Sequence, residues 1–386
     1  MNSLTPRERV RKALNHQEPD RVPVDFGGYV CGIHEKAYRD LADYLKMKVK
    51  VSIYDYMQRL SSVDERILKI FNVDTRYVYA RPASNWEFKE DADHGWVDEW
   101  GVRRRRCGYY ADVVHYPLGE ADIHDVERYP FPDPSDPARF KELGEEAARL
   151  YEQTDYALLA ATSGSIQYLP AELRGWEQYL TDLALHPDIT AKLTDRFLDW
   201  NIRYFDKLLD ACGKYVEMIW IGDDWGYQAG PVMNPMMFRN IFKPRYKELV
   251  DFIKRKANVK VCLHSCGSVS WAIQDFIDVG IDVLNPVQVA AKDMDTKRMK
   301  EEFGERIVFW GGGCDTQRVL PFGTPGEVRR EVNKRINDLA PGGGFVFTPV
   351  HNIQATVPPE NIISMYEAVG RYGWYPIWPI TSQGKQ

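Results

Sequence analysis

Eight short runs of apolar and β-branched residues recur along the 386-residue chain, and longer segments with helical periodicity separate most of them. This alternation is typical of βα units, in which helices cover parallel strands. Eight such units over this length predict one α/β domain, residues 1–386, folded as a (β/α)₈ TIM barrel. The predicted strands are Arg21–Phe26, Thr75–Ala80, Tyr156–Ala161, Val216–Ile221, Val259–His264, Ile281–Leu284, Arg306–Trp310 and Phe345–Pro349.

Residues 85–117 interrupt the βα pattern. Aromatic and charged residues alternate there, with glycines at the expected turns, so this stretch predicts a small antiparallel β insertion after the second strand. The insertion contains four consecutive arginines, Arg103 to Arg106. A strand would place two of them on each face beside acidic neighbours, which favours a solvated sheet edge over a phosphate-binding patch.

Charge and hydropathy exclude two classes of partner. The 50 Lys and Arg residues against 56 Asp and Glu give a formal net charge of −6, which provides no general attraction to nucleic acid or anionic lipid. No apolar run approaches the roughly 18 residues of a membrane helix. The first residues, with a capping box at Thr5 and Glu8, do not resemble a signal peptide. We therefore expect a cytoplasmic protein with reduced cysteines and without nucleic-acid or membrane partners.

Candidate chemistry lies beyond the carboxyl ends of the predicted strands, where barrels of this kind build their active sites. Asp223 and Asp224 follow the fourth strand within a polar cluster. Two interpretations stay open at this point. Either one of these carboxylates contacts a ligand, orienting it or accepting a proton, or both simply cap the next helix.

His264 and Cys266, at the end of the fifth strand, give the sharpest local signal. Residues two apart on an extended chain project to the same side and can reach one ion. Cys314 and His351 follow the seventh and eighth strands on the same face, so a metal site with three protein ligands and an open position is one interpretation. The other is a metal-free pocket in which the cysteines are small buried hydrophobes. The remaining cysteines are expected to be structural, with Cys262 pointing away from His264 or lying in the barrel wall.

Several ordered blocks of sequence resemble the uroporphyrinogen decarboxylase superfamily along nearly the whole chain. The resemblance implies the (β/α)₈ barrel independently of the strand count. The blocks are TPRERVRKALNHQEPDRVPVDF, SIQYLPAELRGWEQYLTDLALHP, IGDDWGYQAGPVMNP, LHSCGSVSWAIQDFIDVGIDVLNPVQ, FWGGGCDTQRVLPFGTPGEV and PGGGFVFTPVHNIQATVPPENI.

The chain resembles one branch of this superfamily more than the other. True uroporphyrinogen decarboxylases place an arginine pair after the first strand and a catalytic aspartate after the second. The stretches GGYVCGIHEKAY and YVYARPASNW contain neither. The zinc-dependent, corrinoid-linked methyltransferases bind zinc through a His-x-Cys pair after the fifth strand, which His264 and Cys266 match. Their third ligand, commonly a cysteine near the eighth strand, is replaced by His351 in TPVHNI, so the third ligand is His351 or Cys314.

The methyltransferase branch implies a specific reaction. A methyl group would move between a small methylated substrate, such as a methyl ether, amine or thiol, and the cobalt of a corrinoid carried by a partner protein, with zinc as a Lewis acid. Asp223, Asp224 and His264 would be catalytic. The alternative is a decarboxylase that acts on a porphyrinogen-like or aromatic carboxylic acid without a corrinoid, and a homodimer is left open. The side chains expected to bind substrate through hydrogen bonds are Gln228, Asn285, Gln288, Gln317 and Asn352.

Overall fold

The computed structural model describes residues 3–377, without the side chains of residues 162 and 163. No helix in that part of the chain is long and apolar enough to cross a membrane. The strands are β1 (Ile53–Asp55), β2 (Leu60–Ser61), β3 (Thr75–Tyr79), β4 (Gly95–Val97), β5 (Arg103–Cys107), β6 (Tyr110–His115), β7 (Ala157–Gly164), β8 (Met218–Gly222), β9 (Gly226–Tyr227), β10 (Gly230–Pro231), β11 (Lys260–His264), β12 (Val283–Asn285), β13 (Val308–Trp310) and β14 (Phe345–Val346). The helices are α1 (Pro6–Leu14), α2 (Glu35–Tyr44), α3 (Glu65–Ile70), α4 (Ile123–Arg128), α5 (Lys141–Gln153), α6 (Tyr168–Arg174), α7 (Trp176–Leu185), α8 (Pro187–Cys212), α9 (Pro235–Met237), α10 (Lys243–Lys256), α11 (Ile273–Val279), α12 (Thr296–Phe303), α13 (Val319–Phe322), α14 (Pro325–Leu339) and α15 (Pro359–Tyr372).

A curled parallel sheet forms the centre of the fold. Its strands lie in the order β3-β7-β8-β11-β12-β13-β14, and all neighbouring pairs are parallel. Each of these strands overlaps one of the predicted runs, and helices connect successive strands around the outside. The α/β barrel prediction is therefore confirmed. Parallel strands place all their carboxyl ends at one rim, and this rim carries the candidate site.

The first predicted strand joins the two edges of this sheet, but as an irregular extended segment. The amide of Asp25 donates to the carbonyl of Phe347 after β14 (2.8 Å), and the amide of Asp74 before β3 donates to the carbonyl of Val24 (2.8 Å). Pro23 has no amide hydrogen, and the amide of Val24 donates to the Asp74 carboxylate (2.8 Å) instead of to a neighbouring strand. The expected regular strand is thus reduced to isolated bridges that still close the barrel, and we call residues 21–26 the closing segment.

Side chains from alternate strand positions fill the barrel interior. Trp220, Cys262 and Val283 lie opposite one another on β8, β11 and β12 and belong to one buried cluster, against which Val10 of α1 packs. Cys262 and His264 are two residues apart on β11 and therefore project to the same side of the strand. Of the two alternatives expected for Cys262, the position in the barrel wall holds, because the residue is part of β11. Its side chain does not point away from His264 but lies inside the barrel, in the buried cluster.

The predicted insertion is a three-stranded antiparallel sheet formed by β4, β5 and β6. Its four arginines do not all lie on a solvated edge. Arg103 and Arg106 pair with acidic residues of the preceding loop, but Arg104 is buried and donates to both carboxylate oxygens of Glu172 on α6, at 3.0 and 2.6 Å. The prediction is wrong for Arg104 because its partner lies 68 residues away along the chain, beyond the reach of any local pattern.

Asp74 ties three parts of the chain together. Its fully buried carboxylate accepts hydrogen bonds from Arg9 on α1 (2.6 Å) and from Arg21 in the closing segment (2.8 and 2.9 Å). Asp74 itself directly precedes β3. The ion pairs therefore fix α1 and the closing segment to the first regular strand of the sheet.

Replacing Asp74 with alanine should lower the free energy of unfolding by about 3 kcal/mol or more, because two arginines would lose a buried counter-charge. The matched control is Asp251→Ala, which removes an exposed pair with Lys247 one helical turn away and should cost less than about 1 kcal/mol. Urea denaturation followed by circular dichroism measures both losses. Equal, small losses for the two variants would show that barrel closure does not depend on this ion pair.

Candidate active site

Three metal-capable side chains meet at the carboxyl rim of the barrel. His264 is the last residue of β11, Cys266 follows two residues later, and His351 lies in the loop after β14. One ligand atom from each lies within 4.8 Å of the other two. The Cys266 Sγ is 3.3 Å from the His264 Nε2, and the two imidazole ring centroids are 5.5 Å apart. We call these three residues the rim cluster.

The sheet register fixes the orientation of His264. On β12, Asn285 is the register partner of His264, and its Oδ1 lies 2.6 Å from the His264 Nδ1. The Asn285 amide nitrogen donates to the carbonyl of Trp310 (2.7 Å), so its oxygen must face the imidazole and accept the Nδ1 hydrogen. The lone pair of His264 is therefore on Nε2, which is the atom that faces Cys266. A hydrogen bond donated by the ring nitrogen that does not bind the metal is the usual support of a metal-binding histidine.

Burial sets the protonation of the rim cluster. It lowers the pKa of His264, and together with the neighbouring His264 it lowers the pKa of His351 to about 3. Both imidazoles are thus neutral and offer lone pairs near pH 7. Burial, with the nearby Asp224, raises the pKa of the Cys266 thiol, so a cation is needed to stabilise its thiolate. Two neutral imidazoles and one thiol that a metal would deprotonate form a donor set that fits zinc with one open position.

Cys314, the other candidate for the third ligand, is not in the rim cluster. It is fully buried among core side chains, and its backbone carbonyl accepts a hydrogen bond from the amide of Val350 (3.1 Å). Among the described residues, the only set of three or more donors close enough for one ion is His264, Cys266 and His351. Of the two ligands that the sequence left open, the geometry selects His351.

The two predicted aspartates lie in different environments. Asp223 is fully buried, and its carboxylate accepts hydrogen bonds from the hydroxyls of Ser165 and Tyr246 and from the amides of residues 166–168 at the start of α6 (2.6 to 3.0 Å). Burial raises the pKa of Asp223, and the hydrogen bonds of the two hydroxyls oppose this shift. Both of its oxygens are occupied by donors of the chain itself. We therefore interpret Asp223 as a residue that positions the loop before α6.

Asp224 makes fewer contacts and lies beside the rim cluster. Its Oδ1 accepts a hydrogen bond from the amide of Cys266 (2.8 Å), and the residue lines the adjoining cavity. The carboxylate therefore orients the Cys266 loop and is available to a bound molecule. Of the two aspartates, Asp224 has the geometry expected of a catalytic group.

The five predicted amide side chains do not line the cavity. Gln288 and Gln317 both donate to the side-chain oxygen of Gln228 (3.1 and 3.4 Å), so these three glutamines brace neighbouring loops at the rim. Asn285 holds the His264 ring, as described above. Asn352 is buried, where it links the loop after β14 to the loops after the closing segment and β1. Their hydrogen-bonding capacity is largely used within the chain.

A cavity of about 410 Å³ lies next to the rim cluster and includes both histidines in its wall. Aromatic side chains from the barrel and the insertion line much of it, and we call them the aromatic wall. Sequence reasoning missed these residues individually, although the high aromatic content of the insertion was a visible signal. The aromatic wall comprises Tyr29, Tyr54, Tyr56, Trp86, Trp96, Trp100, Tyr168 and Trp220. The charged residues lining the cavity are Asp55, Asp98, Glu99, Arg104, Glu172, Asp223 and Asp224.

The fold and the site define a TIM-barrel protein with a candidate metal centre at the carboxyl ends of its strands. Comparison with known proteins then gives the family, because the family model described as uroporphyrinogen decarboxylase (URO-D) matches residues 113–372. The chain belongs to this family.

The relatives are distant, and some of them match over most of their length. The uroporphyrinogen decarboxylase of Alkalilimnicola ehrlichii is 23% identical over 385 residues, covering 95% of this chain and 94% of that protein. The enzyme of the same name from Geobacter sulfurreducens is 22% identical over 272 residues, which are 68% of this chain and 75% of that protein. Among solved structures, a methyltransferase from Methanosarcina mazei superposes with a TM-score of 0.64 at 17% identity, covering 96% of this chain and 99% of that one. This last likeness supports the fold.

Purified protein should bind about one zinc ion per chain, and His264→Ala, Cys266→Ser and His351→Ala should each lose most of it. Asn285→Ala should weaken zinc binding by about 10- to 100-fold, because the imidazole loses its orienting acceptor. Competition with a chromophoric chelator measures the affinities. Cys314→Ala and the exposed Cys107→Ser serve as controls with unchanged zinc content. Loss of zinc in Cys314→Ala with zinc retained in His351→Ala would contradict the assignment of the third ligand.

The two aspartates should differ sharply in their effect on stability. Asp223→Ala leaves several buried donors without an acceptor and should lower the free energy of unfolding by roughly 3 kcal/mol or more. Asp224→Asn keeps an acceptor for the Cys266 amide and should cost less than about 1 kcal/mol. Thermal and urea unfolding of both variants check this difference. Similar losses in the two variants would argue against a purely positioning role for Asp223.

Proposed function

We propose that the protein is a zinc-dependent methyltransferase that moves a methyl group between a small methylated substrate and the cobalt of a corrinoid carried by a partner protein. The observation that carries this proposal is the rim cluster, in which two neutral histidines and a cysteine meet at the wall of a cavity large enough for a small molecule. Three protein ligands with an open position are typical of catalytic rather than structural zinc. The likeness to the Methanosarcina methyltransferase in fold is consistent with this reaction.

The charges of the cavity wall favour methyl transfer over decarboxylation. Arg104 is the only described arginine or lysine that lines the cavity. Its guanidinium donates to both oxygens of Glu172 and to Asp98, so it has little capacity left for a substrate carboxylate. A porphyrinogen or an aromatic acid would place its carboxylates against a wall with a net negative charge, which is electrostatically unfavourable.

Different residues of the site have different roles in such a transfer. The bond between the methyl carbon and its heteroatom breaks, and the electron pair of that bond stays on the heteroatom, which then takes up a proton. Asp224 lines the cavity beside Cys266 and is placed to hold that proton on its carboxylate. Asn285 keeps the Nε2 of His264 directed at the metal position. When bound, zinc supplies positive charge that stabilises the electron pair of the heteroatom.

Carboxy-lyase activity is the second candidate, because the curated relatives that match most of the chain are named uroporphyrinogen decarboxylase. It requires no corrinoid and would release carbon dioxide. The two candidate activities can therefore be distinguished by their products.

Zinc-loaded protein mixed with reduced cob(I)alamin and a panel of methyl ethers, amines and thioethers should produce methylcobalamin, followed by its absorption spectrum. Asp224→Asn should lower the rate by about 10²- to 10⁴-fold, the usual loss on removing a general acid or base, while zinc content stays unchanged. The exposed Asp112→Asn is the control with wild-type rate. Carbon dioxide release from aromatic acids, with no methylcobalamin from any donor, would overturn the proposal in favour of the lyase.

A further inference from the structure

One carboxylate in the cavity has no role in the rim cluster. Asp55 ends β1, and 6% of its surface is exposed. Its Oδ1 accepts a hydrogen bond from the amide of Gln58 (2.8 Å). Among the described residues it forms no ion pair, although it lines the cavity wall. Burial raises the pKa of Asp55, while its backbone hydrogen bonds and the nearby positive charge of Arg104 oppose this shift. Arg104 itself is hydrogen-bonded to Glu172 and Asp98.

The other acidic residues of the wall are accounted for within the chain. Asp98 and Glu172 share Arg104, and Glu99 pairs with Arg139 (2.6 Å). The two aspartates after β8 belong to the loop before α6 and to the rim cluster, as described above. Asp55 is thus the one described acid of the wall that is nine-tenths buried, forms no ion pair and has no assigned task.

The aromatic wall lies in the same cavity as Asp55. Its rings are held in place by packing: Tyr56 stacks on Phe88 with ring centroids 3.8 Å apart, and Tyr54 packs against Tyr79 at 5.1 Å. Aromatic faces attract cations through the ring quadrupole, and the attraction grows when water is excluded. Fixed aromatic rings beside a buried carboxylate that forms no ion pair therefore complement a cationic group better than a neutral or anionic one.

We propose that Asp55 and the aromatic wall form a subsite for a positively charged nitrogen, and that the substrate carries this cation at one end and its methyl-bearing heteroatom at the other. The identity of the second end rests on the proposed function, whereas the cation subsite does not. An ammonium whose four valences are filled has no lone pair to offer a metal. The atom that faces the rim cluster must therefore be a different one that keeps a lone pair, either an ether, thioether or uncharged amine atom or, when the protein methylates, a thiol.

A pair of probes that differ only in charge tests the subsite. Choline O-methyl ether carries a trimethylammonium group, and 1-methoxy-3,3-dimethylbutane replaces its nitrogen with carbon. Isothermal titration calorimetry on the full chain, without corrinoid, should show the cation binding at least about tenfold more tightly than its neutral isostere. In Asp55→Asn this preference should fall to about twofold or less, while the affinity for the neutral ether stays within about twofold of wild type.

Three controls separate charge from structure. Asp55→Glu keeps the negative charge and should retain most of the preference, and thermal unfolding of both variants reports whether the β1–β2 turn is intact. Asp112→Asn removes one exposed charge from the insertion and should leave the preference unchanged. Equal affinities of the two probes in the wild type, or a preference that survives in Asp55→Asn, would overturn the subsite.

The result of the cation-binding experiment is independent of the result of the methyl-transfer experiment. Cation preference without methylcobalamin formation would reject the proposed reaction and keep the subsite. Methyl transfer from neutral donors with no cation preference would reject the subsite and keep the reaction. Both results are read from separate measurements on the same preparation.

Discussion

The barrel closes through buried carboxylates rather than through a full hydrogen-bond ladder. Asp25, fully buried, accepts hydrogen bonds from Thr75 and Tyr77 on β3 (2.5 and 2.8 Å), from Trp310 on β13 (2.7 Å) and from the thiol of Cys31 (2.9 Å). These partners lie on opposite sides of the closing segment. The side chain therefore supplies the contacts that Pro23 and the irregular backbone cannot, because a buried carboxyl group is stable only when hydrogen bonds satisfy its oxygens.

This closure also places part of the active site. The loop that follows the closing segment contributes Tyr29 to the aromatic wall, and it must run close to the barrel interior to do so. A Cβ at Gly28 would lie 2.1 Å from the ring of Tyr77, one of the hydrogen-bond partners of Asp25. A side chain at this position would displace that ring and with it the hydrogen bonds of the buried carboxylate. The contacts between Gly28, Tyr77 and Asp25 thus contribute both to stability and to the shape of the cavity.

The sequence predicts what depends on short-range periodicity, and less of what depends on distant partners. The strands that follow the period-two pattern were predictable, and so was the meeting of His264 and Cys266, because two positions on one strand share a side. His351 reaches them through the common rim of parallel strands. Arg104 was misjudged because Glu172 buries it, and the sequence did not show that Gln288 and Gln317 hydrogen-bond to Gln228. The burial and the hydrogen bonds of such side chains depend on partners far away in the sequence, which a linear pattern does not reveal.

The residues that give the cavity wall its charge are different from those that close the barrel. The hydrogen bonds that close the barrel involve residues 21–26, the barrel strands and α1, whereas Asp55 in β1 and the insertion belong to connections between the barrel strands. Substitutions in such connections need not alter the strand register that aligns His264 with Asn285. A family with one barrel frame can therefore hold anionic substrates with cationic walls in some members. In this chain Asp55 faces the cavity without an ion pair, so the proposed cation subsite would disfavour anions while the rim cluster keeps its geometry.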